Sequence, residues 1–152
     1  GSVKASGGDG DDKITFSTDA GYFGQAVANG GNGNDQIVFG AVAGHSGSAV
    51  ANAGAGADTV VFGTLAGLGG SVAIDLGAND HAADKVTFLG SVSNTTISSF
   101  EFGTDHLNFN GQQVSLSIDT SGKLHFVGTN IDVALSDLTW NPNMHLSDFL
   151  IA

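Results

Sequence analysis

The ten residues GGDGDDKITF at 7–16 return as GGNGNDQIVF at 30–39. This recurrence constrains the fold more than any other feature of the chain. Four phenylalanines, Phe16, Phe39, Phe62 and Phe88, close related phrases at spacings of 23, 23 and 26 residues. Two places before each stands a branched aliphatic residue: Ile14, Ile37, Val60 and Val86. Such alternation with period two marks a strand with one buried face. Each run follows an aspartate (Asp12, Asp35, Asp58, Asp84), and the first three aspartates follow Gly-x-Gly-x, with Gly8/Gly10, Gly31/Gly33 and Gly54/Gly56. Between the phrases lie GQAVANG (24–30), GSAVANAG (47–54) and GSVAIDLG (70–77), which also read as short strands. Two strands and two turns per 23 residues make one coil of a β-solenoid. The phenylalanines then stack inside it, and no coil can bury its apolar face alone.

The turn carries the chemistry. Glycine, 24 of the 152 residues, shows no collagen triplet; it admits positive φ and lets the backbone approach closely. Coils stack about 4.8 Å apart, so equivalent aspartates form a column of like charge. Fifteen acidic residues face four lysines and no arginine, a formal net charge of −11. That balance argues against nucleic acid, which is bound through basic groups that displace counterions, and favours a cation as partner. A hard divalent ion between successive turns relieves the repulsion. Calcium takes about 6–8 oxygens, carboxylate and carbonyl mixed, whereas magnesium demands a tighter octahedron and gives up water reluctantly.

GGDGDDKIT and GGNGNDQIV resemble the calcium-binding glycine-aspartate nonapeptide of RTX proteins, GGxGxDxUx. AGAGADTVV (53–61) departs from it by losing the first glycine, and LGANDHAADKV (76–86) is longer and lacks the second. The resemblance implies an all-β, calcium-stapled parallel β-roll of about four coils over 3–92. It carries over the ligand aspartates Asp12, Asp35, Asp58 and Asp84. With them come backbone carbonyls around Gly8, Asp9, Gly10, Gly31, Asn32, Gly33, Gly54 and Gly56, for about two or three ions in all. Family members usually bear the nonapeptide on both edges of the roll; here the loops 17–24, 40–47 and 63–70 lack it, so calcium is expected on one edge only.

Residues 93–152 read as a β-rich cap, which a solenoid needs to cover its last coil. ISSFEFGTDHLNF (97–109) resembles the segment after the roll in serralysin-type proteases, through Phe100, Gly103, Asp105, Leu107 and Phe109. The alternations Val114/Leu116/Ile118 and Leu124/Phe126 flank Asp119-Thr120-Ser121-Gly122 and predict a hairpin. Trp140 before Asn141-Pro142-Asn143 marks a turn. The ending HLSDFLIA resembles the uncleaved address of substrates of type I secretion machinery. It also predicts a short capping helix with Ser147 as N-cap and Leu146, Phe149 and Leu150 on one face.

Other chemistries find little support. There is no cysteine, hence no disulfide framework and no thiolate nucleophile. No apolar run reaches membrane-spanning length. GHSGS (44–48) falls short of a nucleophile elbow because it lacks the glycine two places after Ser46. His45, His81, His106, His125 and His145 form no HExxH and no i, i+4 pair. No catalytic residue is assigned, and the chain is expected not to be an enzyme in itself. Gly1-Ser2 resembles a cloning remnant, and no leader is visible, so the chain reads as the C-terminal part of a longer secreted protein. The expected role is a calcium-folded structural and export module, extracellular or at the cell surface, of a surface-layer or adhesin type. The alternatives are the secretion domain of a hydrolase such as a protease or lipase, and a carbohydrate-binding module with Tyr22 and Phe23 as sugar-stacking rings. Self-association and a cell-surface glycan are the further partners considered.

Overall fold

The alternating runs become short parallel strands. In the computed structural model, which describes residues 1–151, five of them form one sheet: β2 (Lys13–Phe16), β4 (Gln36–Phe39), β7 (Thr59–Phe62), β10 (Lys85–Phe88) and β12 (His106–Asn108). The register superimposes the repeats, Ile14 on Ile37 on Val60 on Val86 on Leu107. The intervening runs form the facing sheet: β1 (Ser2–Asp9), β3 (Gln25–Asn32), β6 (Ser48–Ala55), β9 (Ser71–Asp75) and β11 (Ser91–Ser98), again parallel. A narrow third side comes from β5 (Val42–Ala43) and β8 (Leu65–Ala66), which pair with each other and, through β8, with β11. The result is a parallel β-solenoid of about five turns, consistent with a β-roll. That is one turn more than the repeat phrases indicate, because β11 and β12 continue both stacks past Phe88.

The core is a ring stack. Phe16, Phe39, Phe62, Phe88 and Phe109 lie one above the next, with centroid separations of 5.2, 4.9, 5.6 and 5.5 Å and interplanar angles of 26° or less. Offset stacking of this kind adds to the area each ring buries. Ala26, Ala28, Ala49 and Ala51 on the other sheet belong to the same core and are fully buried. Large residues on one face and small ones on the other let the thin coil close without voids.

The far end is covered as the sequence leads one to expect. β13 (Val114–Ile118) and β14 (Lys123–Gly128) form the antiparallel hairpin, and β15 (Ile131–Thr139) joins β14 antiparallel and β11 parallel. Asp119 shapes the hairpin turn by accepting the Ser121 hydroxyl and the Lys123 and Ser121 N–H groups, which hold its carboxyl well below the usual range. Asn141 closes the expected turn after Trp140: its carbonyl accepts the Met144 N–H at 3.1 Å, and its side chain accepts the Asn143 N–H at 3.0 Å.

The C-terminal segment differs in detail from the expected helix. It makes a 3₁₀ turn over Leu146–Asp148 with His145, not Ser147, as N-cap, and Asp148 Oδ2 accepts the His145 N–H at 2.8 Å. A longer helix is ruled out by the residues that follow. Leu107 N–H donates to the Phe149 carbonyl at 2.7 Å and Ile151 N–H donates to the Leu107 carbonyl at 3.0 Å, so the tail adds a parallel bridge beyond β12. Phe149 is fully buried against Phe100, Phe102 and Phe126. Ala152 lies outside the described residues.

Candidate cation site at the glycine-aspartate edge

Where the chain turns from one sheet to the other, the aspartates form a ladder. Asp12 N–H donates to Asp35 Oδ1 at 2.8 Å, Asp35 N–H to Asp58 Oδ1 at 2.7 Å, Asp58 N–H to Asp84 Oδ1 at 2.7 Å and Asp84 N–H to Asp105 Oδ1 at 3.0 Å. A reciprocal backbone bond accompanies each rung. Gln36 N–H donates to the Asp12 carbonyl at 2.8 Å, and Thr59, Lys85 and His106 repeat this on Asp35, Asp58 and Asp84. Each coil is thereby tied to the next at the aspartate by two bonds. The carboxylate serves a backbone N–H that a turn would otherwise leave unpaired, and buried N–H groups are costly to orphan.

Each ladder carboxylate has a second oxygen. At the last rung it is satisfied, because Asp105 Oδ2 accepts the Glu101 N–H at 2.7 Å. In the middle of the ladder it is not: Asp35 Oδ2 and Asp58 Oδ2 are buried without a partner among the described residues. These two residues are 3% and 1% exposed, so solvent does not supply the missing partner.

The glycines divide into two roles, and only one follows from φ. Gly8, Gly31 and Gly54, with Gly10, Gly33 and Gly56, all have φ between 105° and 126°. Gly31, Gly33, Gly54 and Gly56 also lie so close to the carbonyl of the equivalent glycine one coil earlier that a Cβ would collide with it. The preceding glycine of each phrase does something different. A Cβ on Gly30 would run into Asp35 Oδ2 and the Ala53 carbonyl, and one on Gly7 into the Asp12 carboxylate and the Gly30 carbonyl. Gly7 and Gly30 therefore make way for the aspartate carboxylate, which occupies the volume a Cβ would take. The strand register aligns Gly7 with Gly30, Ala53 and Leu76. Ala53 and Leu76, which stand at this position in the third and fourth coils, are wholly buried.

Burial dominates the electrostatics. Desolvation pushes the Asp58 carboxyl up to about 6 and the Asp84 carboxyl up to about 8, against the N–H bonds that lower them, with the neighbouring aspartates adding to the rise. Burial raises Asp105 as well, and Glu101 and Asp80 reinforce it. Among the described residues the ion pairs are all between histidine and carboxylate, so no lysine neutralises the ladder. A raised carboxyl binds its proton more tightly folded than unfolded, so its stabilisation is present at low pH and lost as pH rises through the folded value. The metal-free protein is therefore expected to melt at least about 5 °C lower near pH 8.5 than near pH 5. An equal or higher midpoint at the upper pH would contradict this account of the ladder.

Asp12, Asp35, Asp58 and Asp84 thus fall on one line, as the spacing indicates. Asp9 and Asn32 lie on the exposed side of the same edge and bond each other, Asn32 Nδ2 donating to Asp9 Oδ1 at 2.8 Å. The Asn32 carbonyl is taken by the Gly10 N–H at 2.7 Å. The sequence marks Asp105 only as part of a post-roll segment, although Leu107 and Phe109 follow it as Ile14 and Phe16 follow Asp12; it is the fifth rung. Asp80 carries no repeat signal because it sits in a three-residue insertion. Its Oδ2 accepts the Gly56 N–H at 3.0 Å.

The donor set is oxygen only. Among the described residues no three acidic or histidine side chains converge on one point. A cation here would therefore take one or two carboxylates and complete its shell from backbone carbonyls, which suits calcium. The chemistry of the residues fits such an ion, since two buried carboxylate oxygens lack partners. No helix among the described residues is long and apolar enough to cross a membrane. No family profile, curated protein or solved structure matches the chain.

Proposed function

We propose that the chain is a calcium-binding structural module of a secreted protein, a β-solenoid whose glycine-aspartate edge is charge-neutralised by calcium outside the cell. The unpartnered, buried second oxygens of Asp35 and Asp58 carry this reading. Leaving such an oxygen anionic without a partner is costly, and a cation supplies the missing partner. Calcium is a hard cation that takes oxygen ligands and is bound by extracellular modules at about 10⁻⁴–10⁻³ M. The first two coils suit it best, because they keep the full Gly-Gly phrase, with Gly7 and Gly30 lying directly against the Asp12 and Asp35 carboxylates. About two or three ions are proposed, with the strongest site between the Asp12 and Asp35 rungs. With it we propose a structural and export role in a type I secreted protein of surface-layer or adhesin type. An acidic chain that binds calcium only weakly stays unliganded in the cytosol and becomes ordered after export.

Asp35→Asn tests the site. Asparagine keeps an oxygen that accepts the Asp12 N–H but removes the charge. In chelator the variant is expected to be as stable as the parent or more so, since it relieves a desolvated carboxylate. In millimolar calcium it is expected to be less stable, and calorimetry should register at least one ion fewer. Absence of any calcium heat with the parent, or the same sign of stability change in both buffers, would refute the proposal.

A further inference from the structure

The edge opposite the aspartates carries a second repeated turn. Gly24, Gly47 and Gly70 N–H groups donate to the carbonyls of Gly21, Gly44 and Gly67, closing a four-residue turn in three successive coils. The turns stack directly, Phe23 N–H donating to the His45 carbonyl and Ser46 N–H to the Leu68 carbonyl, both at 3.2 Å. In each turn the third residue has positive φ: Phe23 at 47°, Ser46 at 54° and Gly69 at 66°. Glycine is the residue such a position favours, and a bulky side chain there is strained.

The first coil nevertheless places phenylalanine at this position, and its ring is 70% exposed, the most exposed of the large apolar side chains. Tyr22 beside it is 48% exposed. The two rings meet edge to face at 4.6 Å, and Tyr22 stacks on His45 of the next coil at 5.0 Å and 10°. No part of the core needs this ring cluster. The turn column continues through Leu68 to a recess of about 380 Å³ lined by Leu65, Ala66 and Leu68 together with Ser91, Ser93 and Asn130. An exposed aromatic cluster in the first two coils thus shares its edge with a recess further along the solenoid that carries both apolar and hydroxyl or amide groups.

We propose that this edge binds a neutral polysaccharide, with pyranose rings laid on Tyr22 and Phe23 and hydroxyls reaching towards the Ser/Asn recess. The C–H face of a pyranose is apolar and its rim is hydroxyl, which matches exposed rings bordered by polar side chains. An anionic glycan or lipid surface is disfavoured, because the chain has a net charge of −11 and none of its four lysines lies in these turns. The turn sets the positive φ in all three coils, and only the first carries a bulky, exposed aromatic there, where glycine would be less strained. The proposal rests on the turn edge alone and is independent of the calcium reading.

Affinity electrophoresis of the whole chain in calcium buffer, through gels containing hydroxyethylcellulose, glucomannan or laminarin, tests it, with polygalacturonate as an acidic control. At least one neutral gel is expected to retard the protein. Phe23→Gly, which matches Gly69, should weaken that retardation at least tenfold while leaving the melting midpoint unchanged or higher. Any one of the following results would overturn the proposal. One is no retardation in any neutral gel, or retardation that survives Phe23→Gly. Another is retardation by polygalacturonate alone. The last is a parent that sediments as a dimer and a Phe23→Gly variant that sediments as a monomer, which would make a second copy the occupant.

Discussion

Phe62→Ala is expected to cost about 3–5 kcal/mol, the usual range for emptying a buried phenylalanine site. Phe62 is fully buried between Phe39 at 4.9 Å and Phe88 at 5.6 Å, so its loss removes both ring contacts at once and opens a cavity in the middle of the stack. A domain of this size holds only about 5–15 kcal/mol in all, so the variant should melt far below the parent or fail to fold. Phe16→Ala supplies the comparison. Phe16 is half-buried in the first coil and touches one ring, Phe39, so it should cost less than half as much. Denaturant titration at saturating calcium measures both. Equal losses at the two sites would mean that stability does not follow nearest-neighbour stacking, contrary to what a solenoid requires.

The ring stack and its register are legible in the repeat itself. A phenylalanine every 23 residues sets both, because a one-residue slip would turn each ring to the outside. The aspartates are legible for the same reason, being locked two places before the first buried aliphatic of each run. Two aspects are not. The fifth rung uses Asp105 at the end of a segment whose turn, Glu101 to Thr104, lacks the Gly-x-Gly-x signal, so only the following Leu107/Phe109 alternation marks it. The role of Gly7 and Gly30 is also hidden. Backbone angle explains the second and third glycines of the phrase, but the first is set by the volume of the aspartate it faces, a tertiary contact. Phe23, taken as sequence, is open to two readings, packing or ligand contact. Its exposure places it outside the core.

Calcium is expected to govern how firmly the chain folds. Extracellular calcium modules bind at about 10⁻⁴–10⁻³ M, so roughly 10 mM calcium stands one to two orders above Kd and contributes about 1.4–2.7 kcal/mol per site. With two sites filled, and a midpoint shift of about 2–4 °C per kcal/mol for a chain of this length, the melting temperature should rise by about 10 °C. The rise should be greatest near pH 8, where the raised Asp58 and Asp84 carboxyls would otherwise have to give up their protons while still desolvated. Magnesium at the same concentration should give a small fraction of it. The decisive measurement is the thermal midpoint of the purified chain near pH 8 in roughly 10 mM calcium and in chelator, followed by circular dichroism. A midpoint about 10 °C higher in calcium, reversed by chelator, is the result predicted for an aspartate ladder neutralised by the ion. The same midpoint in both buffers would contradict it.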